Sequence, residues 1–432
     1  MRNTRINRGA FVVMGAVLLC RDGAFSAAVA KYDSTVTCIF TETPKYEPKA
    51  WTEGHDRFPL GATLNVVDGG RRHLLVPDLF ASADASISYD ARRVLFAGKR
   101  TPSDHWQVWE LDLHGGPPRQ MTHCEADCVR PLYLPDGQIV YTHGSNLEIA
   151  GKRLTFAPGR YLTDDVLRDG RILFEAARAS QNREIFTVYP DGTGIESLRC
   201  DHGPDRGAAR QIASGDYIFS AGNRLARMTS ALAQQTDVAQ PEGEPIGPIA
   251  EAAPGVWLLS IRRRTGDFGL YRWSAATHAT MAVEVPVTAS AVEPVVIAPR
   301  AVPRQFPSAL VPTRTAGNLL CLNARDFRGP MRKGSVQGVR AYTPAGLLGQ
   351  TEVERDGSFY IQVPADRPIR LELIDPAGKV VQAERNWFWM RPSEQRICVG
   401  CHVGPERAPE NKVPDILLKT IVPVKMLEVQ QP

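Results

Sequence analysis

The sequence lacks a long hydrophobic run, and this absence excludes a membrane-spanning helix, which requires about 20 apolar residues. The apolar run Phe11–Cys20 has ten residues, and no later segment approaches the required length. This run follows three arginines within the first eight residues and precedes small-residue sites that end at Ser26 and Ala30. The pattern is typical of a cleaved secretory signal peptide over residues 1–30. We therefore expect a soluble periplasmic or secreted protein, with a short buried core segment as the alternative.

The chain also lacks a strong charge of either sign. It has 51 Lys and Arg against 47 Asp and Glu, a net charge of +4. Residues 1–30 carry four Arg and one Asp, so the predicted mature chain has a net charge of about +1. No basic run with interleaved aromatic residues is present, and we expect no nucleic-acid partner. With 432 residues the chain exceeds the usual size of one core, which predicts two or three domains.

Motifs for nucleotide binding and for hydrolysis are absent as well. The segment Gly192–Gly194 lacks the third glycine of a dinucleotide fingerprint and lies between two predicted strands. We interpret it as a hairpin turn. No pair of carboxylates and no Ser-His-Asp arrangement rises above chance, so the sequence does not predict a hydrolase. Catalytic residues cannot be assigned from these patterns.

Residues 33–298 repeat one pattern, which consists of an apolar strand, a turn rich in Asp and Gly, and a second strand. Four such turns lie at Asp90, Asp136, Asp169 and Asp216, with spacings of 46, 33 and 47 residues. One propeller blade occupies about 40–50 residues. Because a single blade cannot bury both faces of its sheet, blades must pack around a closed ring. We predict a β-propeller of about six blades, with an irregular pair of β-sandwiches as the alternative.

A change of pattern follows the propeller region. Residues 299–315 are Pro-spaced and predict an extended linker. Residues 316–391 then contain short alternating strands separated by Asp-Gly and Pro-Ala-Gly turns, which predicts a small antiparallel β-sandwich. We expect Asn386–Met390 to close it as a strand. The fold class is therefore all-β, a propeller followed by a sandwich and a C-terminal segment, 392–432.

The C-terminal segment contains the most specific motif of the chain. Cys398, Cys401 and His402 form C-x-x-C-H, the pattern to which haem is attached covalently. Pro392 and Ser393 favour a helix start, and a helical turn from Glu394 would place both cysteines and the histidine on one face. Two thioethers would fix the porphyrin, and the imidazole would bind its iron. A disulfide switch or half of a zinc site are the alternatives.

Residues near this motif suggest the rest of the haem environment. Trp387 and Trp389 would share one face of the predicted strand, with Phe388 and Met390 on the other. We expect these aromatics to be core residues, and their position just before the motif makes Trp387 and Trp389 candidates for a haem wall. Met426 could reach the iron as a second axial ligand. The polar, Pro-broken tail favours a loop across the haem, and we expect the face opposite His402 to be open or weakly ligated.

Cysteines are otherwise few. Besides Cys20 in the signal peptide, five lie outside the motif: Cys38, Cys124, Cys128, Cys200 and Cys321. Cys124 and Cys128 are close enough in sequence for a local bridge, and the adjacent His123 leaves a metal site as the alternative. The odd number predicts at least one free thiol or an intermolecular bridge. The connectivity does not follow from the sequence.

Several of these segments together resemble a known family. The segments are Ile39–Tyr46, Ile87–Phe96, Leu134–Tyr141, Asp356–Pro364 and Arg396–His402. They are similar, in this order, to hydrazine synthase alpha subunit-related proteins, which join a TolB-like propeller to a middle domain carrying a c-type haem. The resemblance implies a periplasmic haem protein of a bacterial redox system. Members of that family continue into a further haem domain, so we do not expect hydrazine synthesis by this chain itself.

Two functions follow from this sequence. The first is an exported mono-haem c-type protein that acts as an oxidoreductase subunit or an electron carrier, with one covalent haem c. Its partner would be a small-molecule substrate or a periplasmic redox protein. The second is a propeller binding or scaffold module in which the haem is structural or sensory. The sixth iron ligand distinguishes them, because an open position suits substrate chemistry and an endogenous ligand suits electron transfer.

Overall fold

The structure, a computed structural model, describes residues 36–177, 182–199, 204–263, 266–284, 289–325, 336–384, 386–400 and 411–428. The signal peptide predicted for residues 1–30 lies outside these ranges. Within them the chain forms 32 strands, a 3₁₀ helix at Ala50–Glu53 and a short α-helix, α1, at Asp415–Lys419. No helix in these ranges has the length and apolar character needed to cross a membrane.

The first 24 strands form six four-stranded sheets, which we call blades 1 to 6. Blades 1 to 3 contain β1 (Cys38–Thr43), β2 (Thr63–Asp68), β3 (Arg71–Leu74), β4 (Ala81–Ile87), β5 (Arg93–Lys99), β6 (Gln107–Asp112), β7 (Arg119–Gln120), β8 (Cys128–Tyr133), β9 (Ile139–His143), β10 (Asn146–Ile149) and β11 (Lys152–Arg153). Blades 4 to 6 contain β12 (Arg160–Val166), β13 (Ile172–Ala177), β14 (Arg183–Val188), β15 (Glu196–Ser197), β16 (Arg206–Gln211), β17 (Tyr217–Ala221), β18 (Arg224–Met228), β19 (Thr236–Asp237), β20 (Glu244–Ala253), β21 (Val256–Arg262), β22 (Phe268–Ser274) and β23 (Thr280–Glu284). The last propeller strand is β24 (Ser290–Val296). The prediction of about six blades is confirmed.

Blade 1 closes the ring, because it combines the two ends of the propeller. Strand β24 pairs antiparallel with β1, so the sheet order is β24-β1-β2-β3. The last strand of the propeller thereby becomes the first strand of the blade that began it. Closure by backbone hydrogen bonds leaves no open edge between the first and last blades.

The Asp turns identified in the sequence are the first hairpins of blades 2 to 5. Asp90, Asp136 and Asp169 each accept a hydrogen bond at Oδ1 from the amide two residues later, at 3.1, 3.0 and 3.1 Å. This local bond stabilises the turn without help from distant residues. The repeated turns could therefore be recognised from sequence alone.

Irregular register in the inner strands brings charged residues together in the interior. Asp84, Arg130 and Glu293 have positive φ angles in β4, β8 and β24, and with Arg57 they form what we call the axial ion cluster. Arg57 contacts both Asp84 and Glu293 at 2.5 Å, and Arg130 contacts Glu293 at 2.6 Å. Burial alone would raise the pKa of Asp84, but the charges of Arg57 and Arg130 hold it below its usual range. The cluster joins blades 1, 2 and 3.

The predicted linker, residues 299–315, forms neither helix nor strand and lies against the propeller. The Arg300 amide donates to the Tyr89 carbonyl at 2.9 Å, and the Arg304 amide donates to the Arg168 carbonyl at 3.0 Å. Phe306 stacks on Tyr189 with ring centroids 3.9 Å apart. The linker thus runs over the turns of blades 2 to 4.

The remaining strands form two facing four-stranded sheets, which we call the sandwich. They are β25 (Ala316–Cys321), β26 (Gly338–Thr343), β27 (Gly346–Glu352), β28 (Phe359–Pro364), β29 (Arg370–Ile374), β30 (Val380–Ala383), β31 (Gln395–Cys398) and β32 (Val424–Lys425). The sheet orders are β31-β25-β28-β32 and β27-β26-β29-β30, with a shared apolar core that includes Leu319, Val339, Ile361 and Leu373. The two outer pairs of the first sheet are parallel, whereas the other pairs are antiparallel.

Two local predictions for this region are wrong. Asn386–Met390 is not a strand, because only Phe388 forms an isolated bridge, to Ile369. The segment from Glu394 is not helical, because Gln395–Cys398 forms β31 along the edge of β25. The Asn318 amide donates to the Glu394 carbonyl at 2.8 Å, and Ser393 has a φ of 64° that a helix does not allow. Backbone pairing with a distant edge strand therefore overrides the local helix signals.

Candidate haem site

The described part of the C-x-x-C-H motif lies at one end of the sandwich. Cys398 is the last residue of β31 and lies directly opposite Cys321 of β25 in the parallel register. Cys398 is half-buried, whereas Cys321 is only 2% exposed and belongs to the sandwich core. Cys401 and His402 lie outside the described residues. The motif therefore begins at the last residue of an outer strand of the sheet.

The two opposed cysteines form a thiol pair that the sequence did not predict. Neither is in a disulfide in the structure. A hydrogen bond from Cys321 lowers the pKa of the Cys398 thiol. Cys321 was recognised only as one of several cysteines of unknown connectivity, because the strand pairing that joins it to Cys398 spans 77 residues. The pair therefore gives Cys398 a larger thiolate fraction than an ordinary thiol at the same pH.

The tryptophans predicted for a haem wall face the propeller instead. Trp389 is fully buried, with its ring edge-on to Phe156 and Tyr161 at centroid distances of 6.2 and 6.4 Å. Trp387 packs against the same propeller cluster, beneath the Arg370 guanidinium. A fully enclosed Trp389 has no surface to offer a porphyrin, whereas a haem-wall role for the half-buried Trp387 stays a prediction. Phe388 is the aromatic residue of this segment that packs on the same core as Cys398.

The turn of blade 4 between β14 and β15 holds the sandwich in place. Trp389 Nε1 donates to the Gly192 carbonyl at 3.0 Å, and Arg391 Nε donates to the Asp191 carbonyl at 2.9 Å. The Gly194 amide donates to Glu394 Oε1 at 3.1 Å. Gly192 has a φ of +84°, and a Cβ there would lie 2.9 Å from Arg391. The glycine pattern interpreted as a plain hairpin is thus also a docking surface, which the sequence did not indicate.

Met426, predicted as a possible second axial ligand, lies far from Cys398 in the sandwich. It is 1% exposed, lies in the sandwich core and follows β32. Strands β31 and β32 are the two outer strands of one sheet, so three strand spacings separate them, about 14 Å. Along the strands, the cysteines are level with Phe359 of β28, whereas Met426 is level with Val363, four residues further on. This offset adds about 13 Å. To bind the iron, Met426 would have to approach from this distance out of the sandwich core, so its role as the second axial ligand stays a prediction that its position does not favour.

The sheet end that carries Cys398 exposes a concentration of apolar side chains. Helix α1 begins there, since the Ile416 amide donates to Ser358 Oγ at 3.1 Å, beside Phe359. The exposed apolar side chains on these flanking segments are Ile397, Val399, Leu418, Ile421 and Val422. Leu418 and Ile421 are 73% and 82% exposed. These segments therefore offer apolar side chains at the end of the sheet that carries Cys398.

The remaining cysteine predictions have mixed outcomes. Cys124 and Cys128 form a disulfide, as one of the two alternatives predicted. The two sulfurs are bonded to each other. The imidazole that lies within 4.8 Å of them belongs to His143 and not to His123. The metal alternative with His123 is therefore wrong. Cys38 is buried in β1, and Cys200 lies outside the described residues.

Comparison with protein families matches residues 324–403 to the hydrazine synthase alpha subunit middle domain. This range includes Cys398, Cys401 and His402. The hydrazine synthase subunit alpha of Kuenenia stuttgartiensis is 37% identical over 79 residues. The alignment covers 18% of this chain and only 10% of that relative's length.

Comparison with solved structures shows how far the fold is shared. Kuenenia stuttgartiensis hydrazine synthase superposes on 89% of this chain and 71% of its own chain, with a TM-score of 0.76 at 17% identity. TolB from Acinetobacter baumannii covers 62% of this chain at a TM-score of 0.45, which is too distant to support an argument. The chain is therefore similar to the hydrazine synthase alpha subunit in its middle domain, residues 324–403, and shares the fold of Kuenenia stuttgartiensis hydrazine synthase over most of its length.

Proposed function

We propose that this chain is an exported redox protein with one covalent haem c, attached through Cys398 and Cys401 and ligated by His402. The observation that carries the proposal is the extent of the matched middle domain. It ends at residue 403, so the complete C-x-x-C-H motif lies inside the matched middle domain. Bound haem supplies an iron that gains and loses one electron.

The described residues fit such a group. Cys398 lies half-buried at a strand end, with a lowered thiol pKa that favours attachment chemistry at this sulfur. Exposed Ile397, Val399 and Leu418 lie on segments that reach the same end of the sheet. A porphyrin has two large apolar faces, and covering such side chains would stabilise its binding. The thioethers would fix its edge, and His402 would supply one axial nitrogen.

The face opposite His402 is open or weakly ligated in this proposal. Met426 is separated from Cys398 by most of a sheet, and Met390 is fully buried in the sandwich core. Neither thioether is available to the iron without disrupting that core. An open position would suit a small-molecule ligand, which favours a haem oxidoreductase component over a simple electron carrier.

Three observations test the proposal. Protein from a host with a working cytochrome c maturation system should give a haem-stained band in denaturing gels, lost in Cys401→Ala. Mass determination should place its N-terminus after Ser26 or Ala30. The ferrous protein should bind carbon monoxide readily. A haem-free product would overturn the proposal, and a low-spin spectrum that resists carbon monoxide would assign the protein to electron transfer or to a scaffold with a structural haem.

A further inference from the structure

The disulfide between Cys124 and Cys128 lies far from the haem motif in sequence and in a different part of the fold. It joins the connection between blades 2 and 3 to the first residue of β8, with Cα atoms 6.4 Å apart. Nothing in the proposed haem function uses it. Its surroundings differ from those of a simple structural bridge in three respects.

The first respect is that the two sulfurs are unequally accessible. Cys128 is completely buried and packs with Leu95, Val108 and Tyr141. Cys124 is half-buried and borders an open groove of about 900 Å³, whose lining also includes His143 and Glu148. A thiolate entering the groove therefore approaches the bridge from the Cys124 side, whereas Cys128 is shielded.

The second respect is an oriented imidazole beside the sulfurs. His143 lies directly opposite Cys128 in the β8–β9 pair, and its ring nitrogen is within 4.8 Å of both sulfurs. His143 Nδ1 lies 2.9 Å from Glu148 Oε1. This contact with the carboxylate orients the ring beside the sulfurs, where an imidazole can accept and donate a proton.

The third respect is that the loop does not depend on the bridge for its position. Gln107 Nε2 donates to the Cys124 carbonyl at 2.9 Å, and the Cys124 amide donates to Gln107 Oε1 at 2.8 Å. The Cys128 amide donates to the Trp106 carbonyl at 2.7 Å. Because both ends of the loop are anchored, the sulfur–sulfur bond can open without loss of the fold. A ring closed over only four residues also constrains the unfolded chain weakly.

We propose that Cys124–Cys128 is a redox-active disulfide that exchanges with a dithiol entering this groove. One thiol of the partner gives its proton to the His143 imidazole, and the resulting thiolate attacks Cys124 Sγ. The bond to Cys128 breaks, its electron pair leaves on Cys128 Sγ, and that sulfur takes the proton from His143. The partner's second thiol then gives up its proton and displaces Cys124, which leaves as a thiolate and takes that proton as the partner's own disulfide forms. Two electrons and two protons pass from the dithiol to this pair. This site acts independently of the haem.

The kinetics of reduction test the site in the full-length, folded protein. Dithiothreitol is added without denaturant, new thiols are blocked by alkylation, and peptide mass spectrometry locates them. Cys124 and Cys128 should become alkylated while the circular dichroism spectrum is unchanged. His143→Gln should slow the reduction at pH 7 by about tenfold or more, because the leaving sulfur loses its proton donor. His123→Gln, an exposed histidine beside the same bridge, is the matched control and should have no effect.

A second measurement covers the case in which a variant folds poorly. With Cys128→Ser, oxidised glutathione should form a mixed disulfide at Cys124. With Cys124→Ser, modification of the shielded Cys128 should be at least about tenfold slower. Reduction that requires denaturant, an unchanged rate in His143→Gln, or equal reactivity of the two single cysteines would each overturn the proposal and leave a structural bridge.

Discussion

At the scale of single residues, the feature that distinguishes Cys398 is its neighbour. Cys321 lies opposite it in the β25–β31 pair and donates the hydrogen bond that lowers the pKa of the Cys398 thiol. A lower pKa means a larger thiolate fraction at any pH below the ordinary thiol value. Cys321 therefore influences the reactivity of a predicted haem-attachment cysteine without belonging to the motif.

Replacing Cys321 by alanine should make Cys398 less reactive in haem-free protein. The lost hydrogen bond raises the Cys398 pKa toward its ordinary value, so alkylation of Cys398 near pH 7 should slow, while the rates at pH above about 9 should converge. Peptide mass spectrometry after timed alkylation measures this. Cys38→Ala, a fully buried cysteine of the propeller, is the control and should leave the Cys398 rate unchanged. Equal rates in wild type and Cys321→Ala would contradict the account.

Met426 should matter for packing and not for the iron. Met426→Leu keeps the volume of a buried side chain and should change the free energy of unfolding by less than about 1.5 kcal/mol. Met426→Ala leaves a cavity and should cost about 2–5 kcal/mol. Visible spectra of both haem-loaded variants should match the wild type. Loss of a sulfur-to-iron band in both variants would show that Met426 reaches the iron after all.

At the scale of elements, the sequence predicts what is local and misses what is distant. The hairpins at Asp90 and Asp136 were predictable because each Asp bonds its own turn. Strand β31 was mistaken for a helix because its partner, β25, lies more than 70 residues earlier. The prediction that Trp387 and Trp389 share one face of this segment, with Phe388 and Met390 on the other, was correct. The sequence could not show which face meets the propeller, because that depends on contact with the turn of blade 4. Of the candidate site, Cys398 was recognisable from its motif, whereas Cys321 was not.

The docking of the sandwich on blade 4 should depend on Trp389. Trp389→Ala removes a fully buried ring and a hydrogen bond, and should cost about 3–5 kcal/mol. Trp389→Phe should cost less, because the ring contacts remain. Limited proteolysis should cut the 299–315 linker faster in Trp389→Ala than in wild type, since the linker lies beside the docked turn.

The control for this prediction is a tryptophan of comparable burial elsewhere. Trp273 in blade 6 is 1% exposed and belongs to a different core cluster. Trp273→Ala should lower stability without preferential cleavage of the linker. Equal linker cleavage in both alanine variants would indicate general unfolding, and the docking role of Trp389 would be wrong.

At the scale of the whole molecule, ion pairs join different blades of the ring. Arg183 of blade 4 contacts Asp205, just before blade 5, through two nitrogens at 3.1 and 2.9 Å. Lys49 near blade 1 contacts the same carboxylate at 2.7 Å. Burial would raise the pKa of Asp205, but the hydrogen bonds and charge of Arg183 hold it well below its usual range. The carboxylate is thus more strongly ionised in the folded than in the unfolded chain.

The stability of the ring should therefore decrease in acid. Because the folded pKa of Asp205 is depressed, its contribution is complete above the unfolded value of about 4 and is lost as pH falls below it. Asp205→Asn should lower the urea midpoint of unfolding at pH 7. It should also make the decrease of that midpoint between about pH 5 and 3 smaller than in the wild type. Asp237→Asn, whose carboxylate is 73% exposed, is the matched control and should change neither. A parallel acid profile for Asp205→Asn and wild type would contradict this.

The central claim is one covalent haem on the C-x-x-C-H motif, and peptide mass spectrometry of the trypsin-digested protein tests it most directly. Cleavage after Arg396 and Arg407 releases residues 397–407, which contain Cys398, Cys401 and His402. Protein from a host with cytochrome c maturation should yield this peptide with the added mass of one haem, and Cys321 in a separate peptide without it. The peptide recovered with two unmodified thiols, or Cys398 joined to Cys321 in a disulfide, would contradict the account.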